Sequence, residues 1–124
     1  MRRLSHSFRD AIAGLRYCMV TQRNMVIHLF AGGAVVLVSI LLHLKPWELL
    51  FITTAVFAVL IAETINTALE KTVDLITRER HVLAHIAKDV AAGAVLLSAI
   101  YAILVGLLIF GPRLWKALLR LIHI

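Results

Sequence analysis

The chain has 124 residues, 61% of them hydrophobic, and a formal net charge of +6. A soluble domain is roughly 45–50% apolar, and here the charged residues fall in short blocks between long apolar runs, which argues against a water-soluble fold with a polar shell. The basic residues are dispersed without interleaved aromatic platforms, so the excess charge points to anionic lipid headgroups and not to nucleic acid.

The first residues carry Arg2 and Arg3 like the start of a signal peptide, but no apolar segment with a small-residue cleavage site follows before Arg23, so nothing is expected to be removed. Residues 5–22 read as an amphipathic surface helix, with Phe8, Ile12, Leu15 and Met19 at helical spacing and Arg9, Asp10 and Arg16 elsewhere. Cys18 is the one cysteine, which rules out an intrachain disulfide and leaves a small helix filler as its expected role. Apolar runs at 25–42, 49–62 and 90–110 predict an all-α integral membrane protein of three transmembrane helices. Each crossing takes about 20 residues, range about 17–25, and the spans are placed at about 25–43, 47–76 and 86–111. Lys45-Pro46-Trp47-Glu48 supplies the turn between the first two, with Pro46 in the first turn of the second helix and Trp47 at the interface.

Residues 77–85 are too polar for the bilayer and read as a loop. Gly111-Pro112 is expected to end the third span. Residues 113–124 then form a separate basic amphipathic tail helix, with Arg113, Lys116 and Arg120 opposite Leu114, Leu118 and Leu121. Arg2, Arg3, Arg9, Arg16 and Arg23 precede the first span against Asp10 alone, so the positive-inside bias puts the N-terminus and the 71–89 connection in the cytoplasm. The basic tail would lie on the other side, against that bias. No repeat or linker divides the chain, so residues 1–124 form a single membrane domain.

Chemistry concentrates on the second span. Glu63, Asn66, Glu70 and Asp74 fall at i, i+3, i+7 and i+11, an arc of about 60° at about 100° per residue. This stripe runs from the apolar zone at Glu63 to the loop at Asp74. Glu63, the deepest, suits a general base, and Glu70, nearer the surface, suits a hard cation such as Mg²⁺. A stripe that merely joins helices, with Lys88 as an ion-pair partner, is the alternative. Its excess of negative charge favours a metal or ligand. Lys88-Asp89 enters the third span from the same side, where a lysine either meets a phosphate or snorkels to the interface. No Walker-type glycine loop, His-Arg-Asp segment or zinc spacing occurs, so any phosphoryl transfer has to use side chains on helices.

Ala62-Glu63-Thr64-Ile65-Asn66-Thr67-Ala68-Leu69-Glu70-Lys71-Thr72-Val73-Asp74, followed by His81 and by Ala87-Lys88-Asp89, resembles the bacterial diacylglycerol kinase and undecaprenol kinase family. The resemblance implies a homotrimer at the inner (cytoplasmic) membrane, with sites between subunits at the cytoplasmic face. It further implies a lipid alcohol as acceptor, with ATP and Mg²⁺. On the family pattern Glu63 is the catalytic base, Asn66 and Glu70 lie at metal and phosphates, and Asp74 supports the site. Lys88 binds phosphate, Asp89 the ribose, and His81 lies near the nucleotide. Arg3 and Arg9 assist from the surface helix. Tyr17 either stacks on adenine or packs on the surface helix, with packing no less favoured. Thr21-Gln22-Arg23-Asn24 with His28, and Asp89-Val90-Ala91-Ala92-Gly93-Ala94-Val95-Leu96-Leu97, resemble the undecaprenol branch more than the diacylglycerol branch.

Gln22 stands where the family has a glutamate taken as a metal ligand. An amide oxygen coordinates Mg²⁺ without adding charge, so weaker metal binding or slower turnover is expected. His28, His43, His85 and His123 are assigned to packing or the interface. A diacylglycerol kinase making phosphatidic acid is the nearest alternative, and a non-enzymatic helical membrane protein that binds ions or a partner is the alternative of another class.

Overall fold

The computed structural model describes residues 2–77, 79 and 81–122, with the side chains of residues 2, 3 and 121 outside the description. Four helices follow in order: α1 (Arg2–Thr21), α2 (Arg23–Leu41), α3 (Pro46–Ile76) and α4 (Val82–Ile122). The last three are long and apolar enough to cross a membrane, which together with the all-helical architecture describes a multi-pass membrane protein. Helix α3 packs against all three others, whereas α2 and α4 do not approach each other among the described residues.

The turn from α2 to α3 is a Schellman closure. His43 sits in the left-handed region at φ 50°, the Leu44 N–H donates to the Ser39 carbonyl at 3.1 Å and the His43 N–H to the Ile40 carbonyl at 3.0 Å, which satisfies the last carbonyls of α2. Pro46 then opens α3, where its missing N–H costs nothing. The Lys45 N–H donates to Glu48 Oε2 at 2.9 Å.

Helix α3 buries one face over most of its length: Glu48, Ile52, Ala55, Val59, Glu63 and Asn66 are all buried and recur every three or four residues. Near the Glu48 end this face is apolar, and Ile52 and Ala55 pack with Val105 and Ile109 of α4, flanked by Val36, Leu44, Ala102 and Phe110. The pair is antiparallel and tied at both ends. Lys88 Nζ donates to Asp74 Oδ1 at 2.5 Å, and Arg113 Nη2 donates to Glu48 Oε2 at 2.6 Å. The tied positions are 26 residues apart on α3 and 25 on α4, about 38 Å of helix at ~1.5 Å per residue.

Two expectations are corrected. Gly111-Pro112 does not end the third span: α4 continues with Pro112 inside it, so residues 113–122 prolong α4 and are not a separate tail helix. Proline removes one backbone donor and disturbs the carbonyls of the preceding turn. Here Arg113 Nη1 donates to the Ile109 carbonyl at 2.7 Å, supplying a side-chain donor in the turn that the proline disturbs. Nor is 77–85 a loop throughout, because α4 begins at Val82. His81 Nδ1 accepts from the Leu83 N–H at 3.2 Å, capping one of the first free donors of the helix. His123 lies outside the described residues.

Helices α2 and α3 approach closely at Gly32, where a Cβ would stand 2.6 Å from Val56 Cγ1. Valine is stiff at χ1, so Gly32→Ala is expected to destabilise by about 1–3 kcal/mol through overpacking. Thermal unfolding in detergent checks this: the midpoint falls in Gly32→Ala and recovers in Gly32→Ala/Val56→Ala. An unchanged midpoint in the single variant would show that α2 gives way freely.

Candidate active site

The face of α3 that is apolar near Glu48 becomes polar beyond Val59. Glu63 is 3% exposed and Asn66 8%, while Glu70 and Asp74 are half-buried. This gradient follows from the helix leaving the apolar zone one turn at a time.

Among the described residues the Glu63 carboxylate accepts no hydrogen bond, and neither α3 between Lys45 and Lys71 nor α4 between Lys88 and Arg113 contains a lysine, arginine or histidine. His28 of α2 and Glu70 of α3 are the ionisable neighbours of Glu63. A buried carboxylate without a hydrogen-bond donor is costly. One turn on, Asn66 Nδ2 donates to Glu70 Oε1 at 3.1 Å. That leaves Asn66 Oδ1 buried without a partner. The neighbouring Thr67 hydroxyl turns back to the Glu63 carbonyl at 2.9 Å and offers Asn66 nothing.

At the Asp74 end the stripe opens into a cleft of about 790 Å³ between the end of α3 and the start of α4. Its lining includes Asp74, His81, His85, Lys88 and Asp89. Four of these are expected site residues, now brought together by the antiparallel turn. His85 Nδ1 lies 3.0 Å from Asp89 Oδ2.

Other expected residues do not join them within one chain. Helix α1 packs on a different face of α3: Leu15 and Met19 share an apolar groove with Phe57, Leu60, Ile61, Thr64 and Ile65, turned roughly 130° from Glu63 at about 100° per residue. Tyr17 is exposed, and Arg9 is exposed beside Asp10 at 3.7 Å. The Arg3 side chain lies outside the described residues. Gln22 is at the α1–α2 junction, its amide donating to Thr21 Oγ1 at 3.4 Å, with no hydrogen bond to α3.

Two ionisable neighbours of the stripe were not singled out in the sequence. His28, assigned to packing or the interface, neighbours Glu63; a lone histidine within an apolar span was the available signal. His85 pairs with Asp89 through the i, i+4 spacing of a helix, legible only if α4 is known to start before residue 85.

The residues present fit a magnesium ion. The orphaned amide oxygen of Asn66 and the carboxylate of Glu70 are hard oxygen donors on adjacent turns. Mg²⁺ takes one or two such protein oxygens when phosphates and water complete its shell.

The chain matches the family described as Prokaryotic diacylglycerol kinase over residues 9–110. It is 49% identical over 109 residues to a protein of Synechocystis sp. named "Diacylglycerol kinase", covering 87% of this chain and 62% of that one. It is also 40% identical over 114 residues to the "Undecaprenol kinase" of Bacillus subtilis, covering 92% and 93% of the two chains. The chain therefore spans less than two thirds of the Synechocystis relative and nearly all of the Bacillus one.

Because Glu63 is buried without a hydrogen-bond partner, Glu63→Gln replaces an ionisable group that the fold does not compensate, and the unfolding midpoint in detergent is expected to rise. Asp74→Asn, which breaks a half-exposed pair, is expected to cost no more than about 1 kcal/mol. A fall in stability for Glu63→Gln would mean that the carboxylate is held by donors and is structural.

Proposed function

Because the chain belongs to the prokaryotic diacylglycerol kinase family, matched over residues 9–110, we propose that it transfers the terminal phosphoryl group of ATP to the hydroxyl of a membrane lipid, with undecaprenol as the preferred acceptor. The observation that carries this reading is the buried, unpartnered Glu63 at the head of a stripe that leads to the Lys88 cleft.

Glu63 takes the proton of the acceptor hydroxyl as its oxygen bonds to the terminal phosphorus and the bond from that phosphorus to the ADP oxygen breaks. Lys88 holds the phosphates by charge, and Asp74, 2.5 Å from its ammonium, aims it. Asp89 accepts from the ribose hydroxyls, with His81 beside the nucleotide at the start of α4. Asn66 and Glu70 are the residues that would hold Mg²⁺, which when bound neutralises charge on the phosphates.

Gln22, Tyr17, Arg3 and Arg9 belong to this reading through a homotrimer. Helix α1 covers a face of α3 away from the stripe in its own chain, so these groups would serve the stripe of a neighbouring copy. In the same reading α1 lies along the cytoplasmic surface of the inner membrane, and the excess of arginines before the first span supports a cytoplasmic cleft.

The match over nearly the full length of an undecaprenol kinase supports that acceptor. The higher identity to a diacylglycerol kinase supports the second reading, phosphatidic acid formation. The non-enzymatic alternative would leave the unpartnered Glu63 and the Lys88–Asp89 cleft without a joint purpose.

Transfer of labelled phosphate from Mg-ATP to undecaprenol and to diacylglycerol by the detergent-purified protein tests the reading. Undecaprenyl phosphate is expected as the main product, with Glu63→Gln slower by about 100-fold or more, the usual scale of general-base catalysis. Labelling of neither lipid overturns the kinase reading; preferential labelling of diacylglycerol overturns only the acceptor. Gln22→Glu is expected to lower the Mg²⁺ concentration needed for half-maximal rate, and an unchanged requirement would remove Gln22 from the metal shell.

A further inference from the structure

Residues 111–122 lie beyond the stretch that matches the family, yet they continue α4 without interruption. At ~1.5 Å per residue α4 is about 61 Å long, twice the ~30 Å of a bilayer's hydrocarbon core. The Asp74–Lys88 and Glu48–Arg113 pairs are about 38 Å apart along the helices, close to a bilayer's hydrocarbon core plus part of each headgroup layer, so a helix spanning with these pairs at the two interfaces emerges beyond Arg113 on the side away from the cleft.

That emergent part is sorted by charge. At about 100° per residue, Arg113, Lys116 and Arg120 fall within an arc of about 60°. Leu114, Trp115, Leu118, Leu119 and Ile122 occupy the opposite side and are all exposed. Neither face fits bulk water or hydrocarbon alone. Between His43 and Lys45 on one side and residues 111–122 on the other, the single carboxylate is Glu48, and Arg113 already neutralises it. Lys45, Lys116 and Arg120 are left as three uncompensated positive charges at that interface.

We propose that the end of α4 is an interfacial anchor that binds the anionic phosphate headgroups of the leaflet facing away from the cleft. Lys116 and Arg120, with Lys45 from the α2–α3 turn, contact the phosphates, while Leu114, Trp115, Leu118 and Ile122 enter the acyl boundary. Pro112 supplies a weak point in the helix at which the anchor bends toward the membrane plane. The Arg113 guanidinium, held by Glu48 and by the Ile109 carbonyl, fixes where that bend begins. Each basic residue near an anionic surface contributes about 1 kcal/mol, roughly fivefold in partitioning.

The test uses the full chain with Trp47→Phe, so that Trp115 is the one tryptophan left, reconstituted in nanodiscs of phosphatidylcholine alone or with phosphatidylglycerol. Trp115 emission is expected to shift to the blue and its quenching by iodide to fall when phosphatidylglycerol is present. Raised salt or Lys116→Gln/Arg120→Gln should abolish both effects. Equal emission in the two lipids overturns the proposal, pointing to burial against another copy or to plain exposure. A phosphatidylglycerol-dependent shift that survives in Lys116→Gln/Arg120→Gln overturns the role of these cations. None of these outcomes depends on the lipid kinase reading.

Discussion

Two ion pairs set the frame on which everything else in this chain depends. Helix α3 offers a carboxylate at each end of its packed face, Glu48 and Asp74, and α4 answers with a cation at each end, Arg113 and Lys88. Neither pair is fully buried, so each adds modest stability. Their joint effect is on register. Sliding α4 by one turn along α3, about 5.4 Å, would break both at once and leave a charge facing hydrocarbon, which is expensive. The separation of about 38 Å also matches a bilayer's hydrocarbon core plus part of each headgroup layer, so the pairs fit the two boundaries of a membrane-spanning helix pair.

With the register fixed, the contents of the seam divide. The half near Glu48 is filled by Ile52, Ala55, Val105 and Ile109, a conventional core. The half near Asp74 contains Glu63 and Asn66, buried and underbonded, opposite a stretch of α4 that has no cation to give. The apolar half stabilises the helix pair that holds the polar half in place. Apolar packing and underbonded polar groups are thus assigned to different lengths of one helix face, the pattern expected where a functional group is retained against its own folding cost.

Much of this was legible in the sequence because it rests on periodicity. The i, i+3, i+7, i+11 spacing of Glu63, Asn66, Glu70 and Asp74 puts them on one face whatever surrounds the helix, and three apolar runs predict three spans regardless of packing. What the sequence concealed are long-range partners. Glu48 and Arg113 are 65 residues apart, and without that pair Pro112 reads as a helix end and Arg113 as one of three free tail cations. In the structure Arg113 donates in the proline's own turn while neutralising Glu48, which both continues α4 and weakens the objection that the tail's charge raised against the topology. Likewise Tyr17, Arg9 and Gln22 were grouped with the stripe by resemblance. The fold of a single chain does not bring them there.

Depth along α3 bears on the kind of acceptor such a site can take. Glu63 is eleven residues from Asp74, about 16 Å along the axis, which places it well inside the hydrocarbon boundary that the two ion pairs define. A water-soluble alcohol would have to leave water to reach it. A lipid alcohol already resides in the bilayer and needs only to bring its hydroxyl to the stripe. On the proposed reading ATP faces the reverse constraint: its charges would hold it at the Lys88 cleft, and its terminal phosphate would advance only as far as Glu70 and Asn66 provide for a cation. The stripe would then span the distance between a substrate confined to lipid and one confined to water, which gives a deep carboxylate and a shallow cleft a joint purpose on a single helix face.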